Sequence, residues 1–274
     1  MLKGPLRDDL GAAVPLDGPP RTLASLVPSL SELVAVWGRA DDVVAVTEYC
    51  TSPDGAFDAA VRIRGTKNPD TARLIALRPD LVLADQEENR RIDVDRLRDA
   101  GIAVWVTRVR GVADVPVTVR RLGGVLDREA EGEALAEAVL AELEGGATGG
   151  VVGRSTPSAC MIWRDGAHRG ADEQWWSVGP ETFAGDLLRA AGLPPVVVGD
   201  DRRYPRSALT ELRAAGPEVV LLPDEPYAFD DDDAAVFAEW PATVLRCSGQ
   251  PLFWWGPRTP EALRWLRGVA AAQN

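Results

Sequence analysis

The side chains best equipped to do chemistry in this chain are aromatic and cationic. Seven of its nine tryptophans fall in the second half, at Trp163, Trp175, Trp176, Trp240, Trp254, Trp255 and Trp265. Trp175-Trp176 and Trp254-Trp255 are adjacent pairs in stretches that read as loops, where two neighbours do not easily face one core. Open aromatic faces suit a flat, polarizable ligand; the plainer reading of any single tryptophan is packing inside a lobe. Tyr49 and Tyr204 follow expected strands, and each reads by itself as a half-buried ring with a hydrogen-bonded hydroxyl. Arg164, Arg203 and Arg258 have the geometry to grip an anion through paired hydrogen bonds, or else stand as lone surface cations. Such a set describes binding rather than turnover.

Other chemistries lack their parts. The chain has one histidine, His168, in a Gly/Asp/Arg-rich stretch where it is expected to be exposed, so a site needing two imidazoles is excluded. Cys50, Cys160 and Cys247 are odd in number and far apart, without C-x-x-C, and are expected as small buried residues rather than disulfide or zinc partners. No Gly-rich phosphate loop and no G-x-S-x-G elbow is present. Acid pairs in a chain with 26% charged residues say little without geometry. No enzyme is expected, and no cofactor is required. Asp230 to Asp233 has the oxygens for a hard cation but reads more simply as a solvated helix start. Glu87-Glu88 beside Asn89-Arg90 reads equally as acids at a helix N-terminus and as contacts to a ligand or an opposing lobe.

These residues need elements to hold them. The stretch from Gly65 to Arg90 reads as loop, short helix, turn, buried strand and polar loop. Asp70 stands where a helix start favours an anion, Leu74, Ile75 and Leu77 share a face, and Pro79 ends the helix. Leu81 to Ala84 is an all-apolar strand, and the residues from Asp85 to Arg90 follow at its carboxyl end, where open α/β sheets bind ligands. The phrase recurs from Leu209 to Leu222 and ends in Pro223-Asp224-Glu225-Pro226-Tyr227. One repeat implies two similar lobes, and two lobes imply a cleft.

Further strands are expected at Thr22 to Val27, Val43 to Val46 and Ile102 to Val106 in the first lobe. The second lobe is expected to have them near Ser158–Trp163, Val196–Val198, Glu218–Leu222 and Ala242–Arg246. Helices are expected from Ser29, as N-cap with Glu32 completing a capping box, over Val94 to Ala100, and from Pro260 to Ala271. Val115 to Leu143 keeps helical spacing over a span of roughly 40 Å, with Gly123-Gly124 marking a bend or a close contact. The expected organisation is an N-terminal α/β lobe over 1–111, a connecting backbone helix over 112–147 and a C-terminal α/β lobe over 148–274.

Net charge is −12 and pI about 4.7, which argues against a nucleic-acid partner. No apolar run reaches the ~20 residues of a membrane-spanning helix. The first twenty residues show no signal-type apolar region, so the chain as written is expected in the cytoplasm; a mature exported chain would be extracytoplasmic.

The sequence resembles the class III substrate-binding proteins of ABC importers, the cobalamin, haem and ferric-siderophore receptors. It is most similar to the branch called helical-backbone metal receptors. The phrases that carry the resemblance are Ser25 to Glu32, Gly65 to Pro69, Leu81 to Ala84 with Glu87 to Arg90, and Ile162 to Asp165. They continue with Val178 to Phe183, Arg203 to Pro205, Glu225 to Tyr227, and Trp254 to Arg258. The resemblance implies two Rossmann-like lobes joined by one long backbone helix, with cobalamin, haem or a ferric siderophore held between them for an ABC permease. A monomer is expected.

The expected ligand surface is Pro28, Ser29, Tyr49, Lys67, Asn68, Glu87 and Asn89 from the first lobe. From the second it is Arg164, Trp175, Trp176, Tyr204, Glu225, Tyr227, Trp254, Trp255 and Arg258. No protein-ligated metal is expected. Asp233 stands where the branch has a histidine, and Cys247-Ser248-Gly249 where it has an aspartate. Ala72 and Thr210 stand near the places of its transporter-docking glutamates, with Asp70 and Glu211 close by. A cytoplasmic carrier or sensor, and an enzyme evolved on the scaffold, are the alternative readings.

Overall fold

The computed structural model describes residues 6–148, 155–166 and 173–273, so His168 and Gly149-Gly150 lie outside the described residues. The chain divides into two compact units, one of residues 1–109 and 114–137, the other of 110–113 and 138–274.

In the first unit the apolar runs become β1 (Leu23–Ser25), β2 (Val43–Val46), β3 (Val61–Arg62), β4 (Leu81–Asp85) and β5 (Ala103–Thr107). They form one sheet in the order β3-β2-β1-β4-β5, paired in parallel throughout. Every residue of β4 and β5 is buried, as strands covered on both faces require. β3 was not expected, because two residues give no periodicity to read. The helices that cover the sheet include α1 (Pro28–Val36), α2 (Thr71–Leu77) and α3 (Arg91–Asp99).

Asp70 caps α2, its carboxylate accepting from the Arg73 amide at 3.0 Å. The expected Ser29 cap is not made. Pro28 takes the first helical position, which leaves Val27 as N-cap without a side-chain bond and buries Ser29 inside the helix. Glu32 accepts instead from Ser52 Oγ at 3.0 Å.

The expected rod is two helices, α4 (Val115–Val125) and α5 (Glu129–Thr148). The chain turns at Asp127, whose φ is +54°, and not at Gly123-Gly124. Gly123 serves the close contact: a Cβ there would lie 2.7 Å from the Arg128 carbonyl oxygen, so any larger residue would push α5 away.

In the second unit the strands are β6 (Ser158–Arg164), β7 (Gln174–Ser177), β8 (Arg206–Ala208), β9 (Val219–Pro223) and β10 (Thr243–Cys247). Their order is β10-β9-β6-β7-β8; β10, β9 and β6 run parallel, while β7 and β8 extend the sheet antiparallel. The sheet is therefore mixed. Val196–Val198 forms no strand: Pro194 and Pro195 precede it, and one amide bond, Val196 to the Ser158 carbonyl at 2.8 Å, ties it to β6. The helices are α6 (Phe183–Ala190), α7 (Leu209–Ala214), α8 (Asp231–Ala235), α9 (Gln250–Phe253) and α10 (Thr259–Ala271). A core of Met161, Trp175, Leu212, Val220, Leu222, Phe229 and Phe237 lies on one face. Among the described residues no helix is long and apolar enough to cross a membrane.

Candidate functional site

The first sheet reverses its strand order between β1 and β4, so the loops leaving their carboxyl ends part there, at the place where open α/β sheets take ligands. Asn89 fastens those loops together. Its Oδ1 accepts from the Asp85 amide at 2.9 Å, and its Nδ2 donates to the carbonyls of Leu26 at 3.4 Å and Thr66 at 2.9 Å. Both polar atoms of this buried side chain are committed to the scaffold, so Asn89 is a tie beneath the surface and not an open ligand contact.

Lys67 reaches over the same loop, Nζ donating to the Glu87 carbonyl with the Glu88 carboxylate 4.0 Å away. Asn68 Oδ1 accepts from the Gly65 amide at 3.2 Å. Tyr49 is 62% exposed, and its ring lies against Gly65, where a Cβ would come within 3.1 Å of Tyr49 Cε2. Tyr49, Lys67, Asn68 and Glu87 thus share one polar edge with Asn89 beneath it, while Pro28 is half-buried and Ser29 buried at the start of α1.

Asp85 is the carboxyl that shapes this edge. Oδ1 accepts from the Glu87 amide at 2.9 Å and the Glu88 amide at 3.4 Å, and Oδ2 accepts from Thr107 Oγ1 at 2.7 Å. Burial pushes its pKa up to about 6, against the pull of those hydrogen bonds. Glu88 is also raised, by burial first, with the Lys67 charge opposing. Glu87-Glu88 occupies the turn before α3 and not the helix's first turn.

In the second unit the expected ligand residues separate by strand alternation. Trp175 and Trp176 lie in β7 and not in a loop, so they point to opposite faces. Trp175 is fully buried, stacked on Phe229 at 5.6 Å, and belongs to the core; the expected ligand contact there is withdrawn. Trp176 is half-buried, pairs with Trp163 across β6 and β7, and carries the Arg206 guanidinium over its ring at 4.9 Å. Trp163 is 51% exposed and meets Tyr227 edge-on at 5.3 Å. Neither Trp163 nor Arg206 was in the expected set; the alternation that finds them is hidden by an irregularity in β6 between Met161 and Trp163.

Arg164 is buried and not open to a ligand. Its Nε donates to Glu173 at 2.8 Å, another nitrogen donates to Asp233, and the guanidinium lies 5.0 Å from the Trp175 ring centre. Burial works against its charge, but the hydrogen bonds and charges of Asp233 and Glu173 outweigh that and hold it above the usual arginine value. Asp230 and Asp233 cap α8 reciprocally at 3.0 Å, so the acidic run is a helix start, with Asp233 alone buried. Trp254 and Trp255 are both buried, because α9 and α10 flank them; Arg258 lies 5.4 Å over the Trp254 ring. Tyr204 is partly exposed beside Arg203, and Glu225 packs on Gly249 after β9. Cys50 and Cys160 are buried and Cys247 is half-buried, its thiol pushed by burial to about 12.

This fold matches known proteins. A model of the periplasmic binding protein family matches residues 23–223, and the chain belongs to that family. Over 248 residues it is 28% identical to a cobalamin-binding protein of Halobacterium salinarum, covering 87% of this chain and 63% of that one. The chain thus spans less than two thirds of that relative's length. It is 21% identical over 224 residues to a vitamin B12-binding protein of Vibrio parahaemolyticus, covering 81% and 76% of the two chains. The solved periplasmic vitamin B12-binding protein of Vibrio cholerae has the same fold, with TM-score 0.78 at 17% identity over 93% of this chain and 98% of that one. A periplasmic heme-binding protein from Roseiflexus sp. RS-1 gives 0.77 at 19% identity over 93% and 99%. The shared architecture is the two-lobe α/β fold of binding proteins.

Proposed function

We propose that this chain is a solute-binding protein that holds a metal-bearing small molecule (a cobalamin, a haem or a ferric siderophore) on strand-end loops of both lobes. It would deliver that cargo to an ABC permease on the outer side of a membrane, acting as a monomer. The observation that carries the reading is the edge built at the strand-order switch of the first sheet, where Asn89 ties three loops and leaves Tyr49, Lys67, Asn68 and Glu87 at the surface. The family and the cobalamin- and heme-binding names of its relatives support the class of cargo. In the second lobe, Trp163 and Tyr227 offer aromatic edges near the carboxyl end of β6. Asp233 is engaged by Arg164, so the cargo's metal is expected to keep its own chelate and to take no ligand from that side chain.

The test is a titration of tryptophan fluorescence, corrected for absorption by the ligand, with cyanocobalamin, haemin and several ferric siderophores. Tyr49→Ala probes the first lobe and Trp163→Ala the second. Saturable quenching, weakened about tenfold or more by each substitution, supports the reading. Absence of saturation with every cargo refutes it.

A further inference from the structure

Strand pairing lines up one row of side chains on the outward face of the second sheet. Trp163 of β6 stands opposite Trp176 of β7, and Trp176 stands opposite Arg206 of β8. Directly opposed residues of antiparallel strands point to the same face, so the three project together. Two strand spacings make the row about 10 Å long. At one end Tyr227 meets the Trp163 ring edge-on at 5.3 Å. At the other the Arg206 guanidinium lies over the Trp176 ring, 4.9 Å from its centre. The row is aromatic surface that ends in a cation.

That cation has no acid partner. In the same unit Arg164, Arg189, Arg202 and Arg246 each face a carboxylate. Arg206 is exposed and faces none among the described residues, although the chain has 42 acids against 30 lysines and arginines. The Trp176 ring steadies the guanidinium, and exposure leaves its N–H groups open to a ligand. A planar fork held in this way grips a pair of oxygens with less loss of freedom than a lysine would. With a net charge of −12, the chain opposes an anion over most of its surface, so an unpaired arginine decides where one can be held. A flat ring system with an anionic group at its rim uses both halves of the row, its face on the aromatic residues and its oxygens on Arg206.

We infer that Arg206 sets the charge of the ligand: the row from Tyr227 to Arg206 selects an aromatic molecule bearing a rim anion, such as a carboxylate or a catecholate, over a neutral one. That this ligand is the cargo rests on the binding reading above.

A fragment pair reads the row with no metal-bearing cargo present. Benzoate and benzamide share their shape and differ in charge. Benzoate should shift the indole N–H signals of Trp163 and Trp176 in NMR spectra, assigned with Trp163→Phe and Trp176→Phe. Benzamide should bind about tenfold or more weakly, and Arg206→Gln should bring benzoate down to the benzamide level. Arg206→Lys, which keeps the charge and loses the fork, should fall between. Amide hydrogen exchange of β7 and β8 should be the same in Arg206→Gln as in the wild type. A disturbed sheet would make Arg206 a structural residue and overturn the assignment. So would absent benzoate shifts, equal binding of the two fragments, or benzoate binding that Arg206→Gln leaves unchanged.

Titration of tryptophan fluorescence then identifies the source of the anion. Haemin supplies a propionate, ferric enterobactin a catecholate, and cyanocobalamin, uncharged overall, is the neutral case. Whichever anionic probe saturates should weaken about tenfold or more in Arg206→Gln, with cyanocobalamin unchanged. Cyanocobalamin that binds more tightly than both anionic probes, or that loses as much, overturns charge selection. If no probe saturates, the cargo clause falls with the binding reading, while the fragment pair still decides on the row.

Discussion

The two lobes arm the ends of similar parallel strands with different chemistry. At the first sheet's carboxyl edge the ties are hydrogen bonds among neutral groups and one buried carboxyl, running through Asn89, Thr66, Leu26 and Asp85. At the second sheet's edge they are a buried guanidinium with two carboxylates, set against stacked rings. Neutral ties are individually weak and locally reversible, whereas a buried charge that loses its partner is costly. Breaking a single tie at the first edge therefore costs less than separating the charges at the second.

The largest break in that comparison should come from the charge cluster. Arg164→Leu leaves Glu173 and Asp233 buried without their cation and should lower unfolding free energy by about 3–5 kcal/mol. Denaturant midpoints measure it, and a loss under ~1 kcal/mol would make the cluster ornamental. Trp175→Ala comes next. It empties the space between Phe229 and Phe237 and should cost about 3–5 kcal/mol by the same assay, while leaving the first lobe's exchange pattern unchanged.

Those two residues also mark where sequence reading stopped. The first lobe was legible because its strands hold continuous apolar runs, from Val43 to Val46 and Leu81 to Ala84, separated by helices with readable starts such as Asp70. β7 and β8 were not legible. Four and three residues long, they sit antiparallel in a sheet whose other members are parallel, and Trp175-Trp176 looks like a loop unless the alternation is known. The positions of Tyr49 and Glu87 after β2 and β4 followed from strand ends, whereas Lys67 follows β3, which was not expected. The commitment of Arg164 to Asp233, 69 residues away, depends on tertiary pairing that spacing does not encode.

The first edge should respond more gently. Asn89→Ala removes one acceptor and one doubly used donor group at the switch point, and about 1–3 kcal/mol is expected. The loss should appear first as faster exchange at Gln86 to Asn89, before any change in the global midpoint. A purely global loss would mean that the edge does not open by itself.

Asp85→Asn should do the reverse. Its folded pKa of about 6 lies above the ordinary value, so the wild-type carboxyl is best tolerated below about pH 4 and weakens the fold as pH rises through 6. The substituted protein should therefore be more stable by about 1–3 kcal/mol at about pH 7.5 and no better at about pH 4, as thermal scans at the two pH values would show.

The smallest effect sharpens the comparison within a single strand. Trp176 neighbours Trp175 in sequence but lies half-buried on the other face, where its ring meets water and the Arg206 guanidinium. A cation over a partly exposed ring is worth about 0.5–1 kcal/mol, so Trp176→Ala should cost no more than about that in stability. If ligand titration of this variant weakens while its midpoint holds, the outward face of β7 belongs to the cargo surface. If the midpoint falls as far as it does for Trp175→Ala, both rings are structural, and Trp163 with Tyr227 carry the second lobe's aromatic contact by themselves.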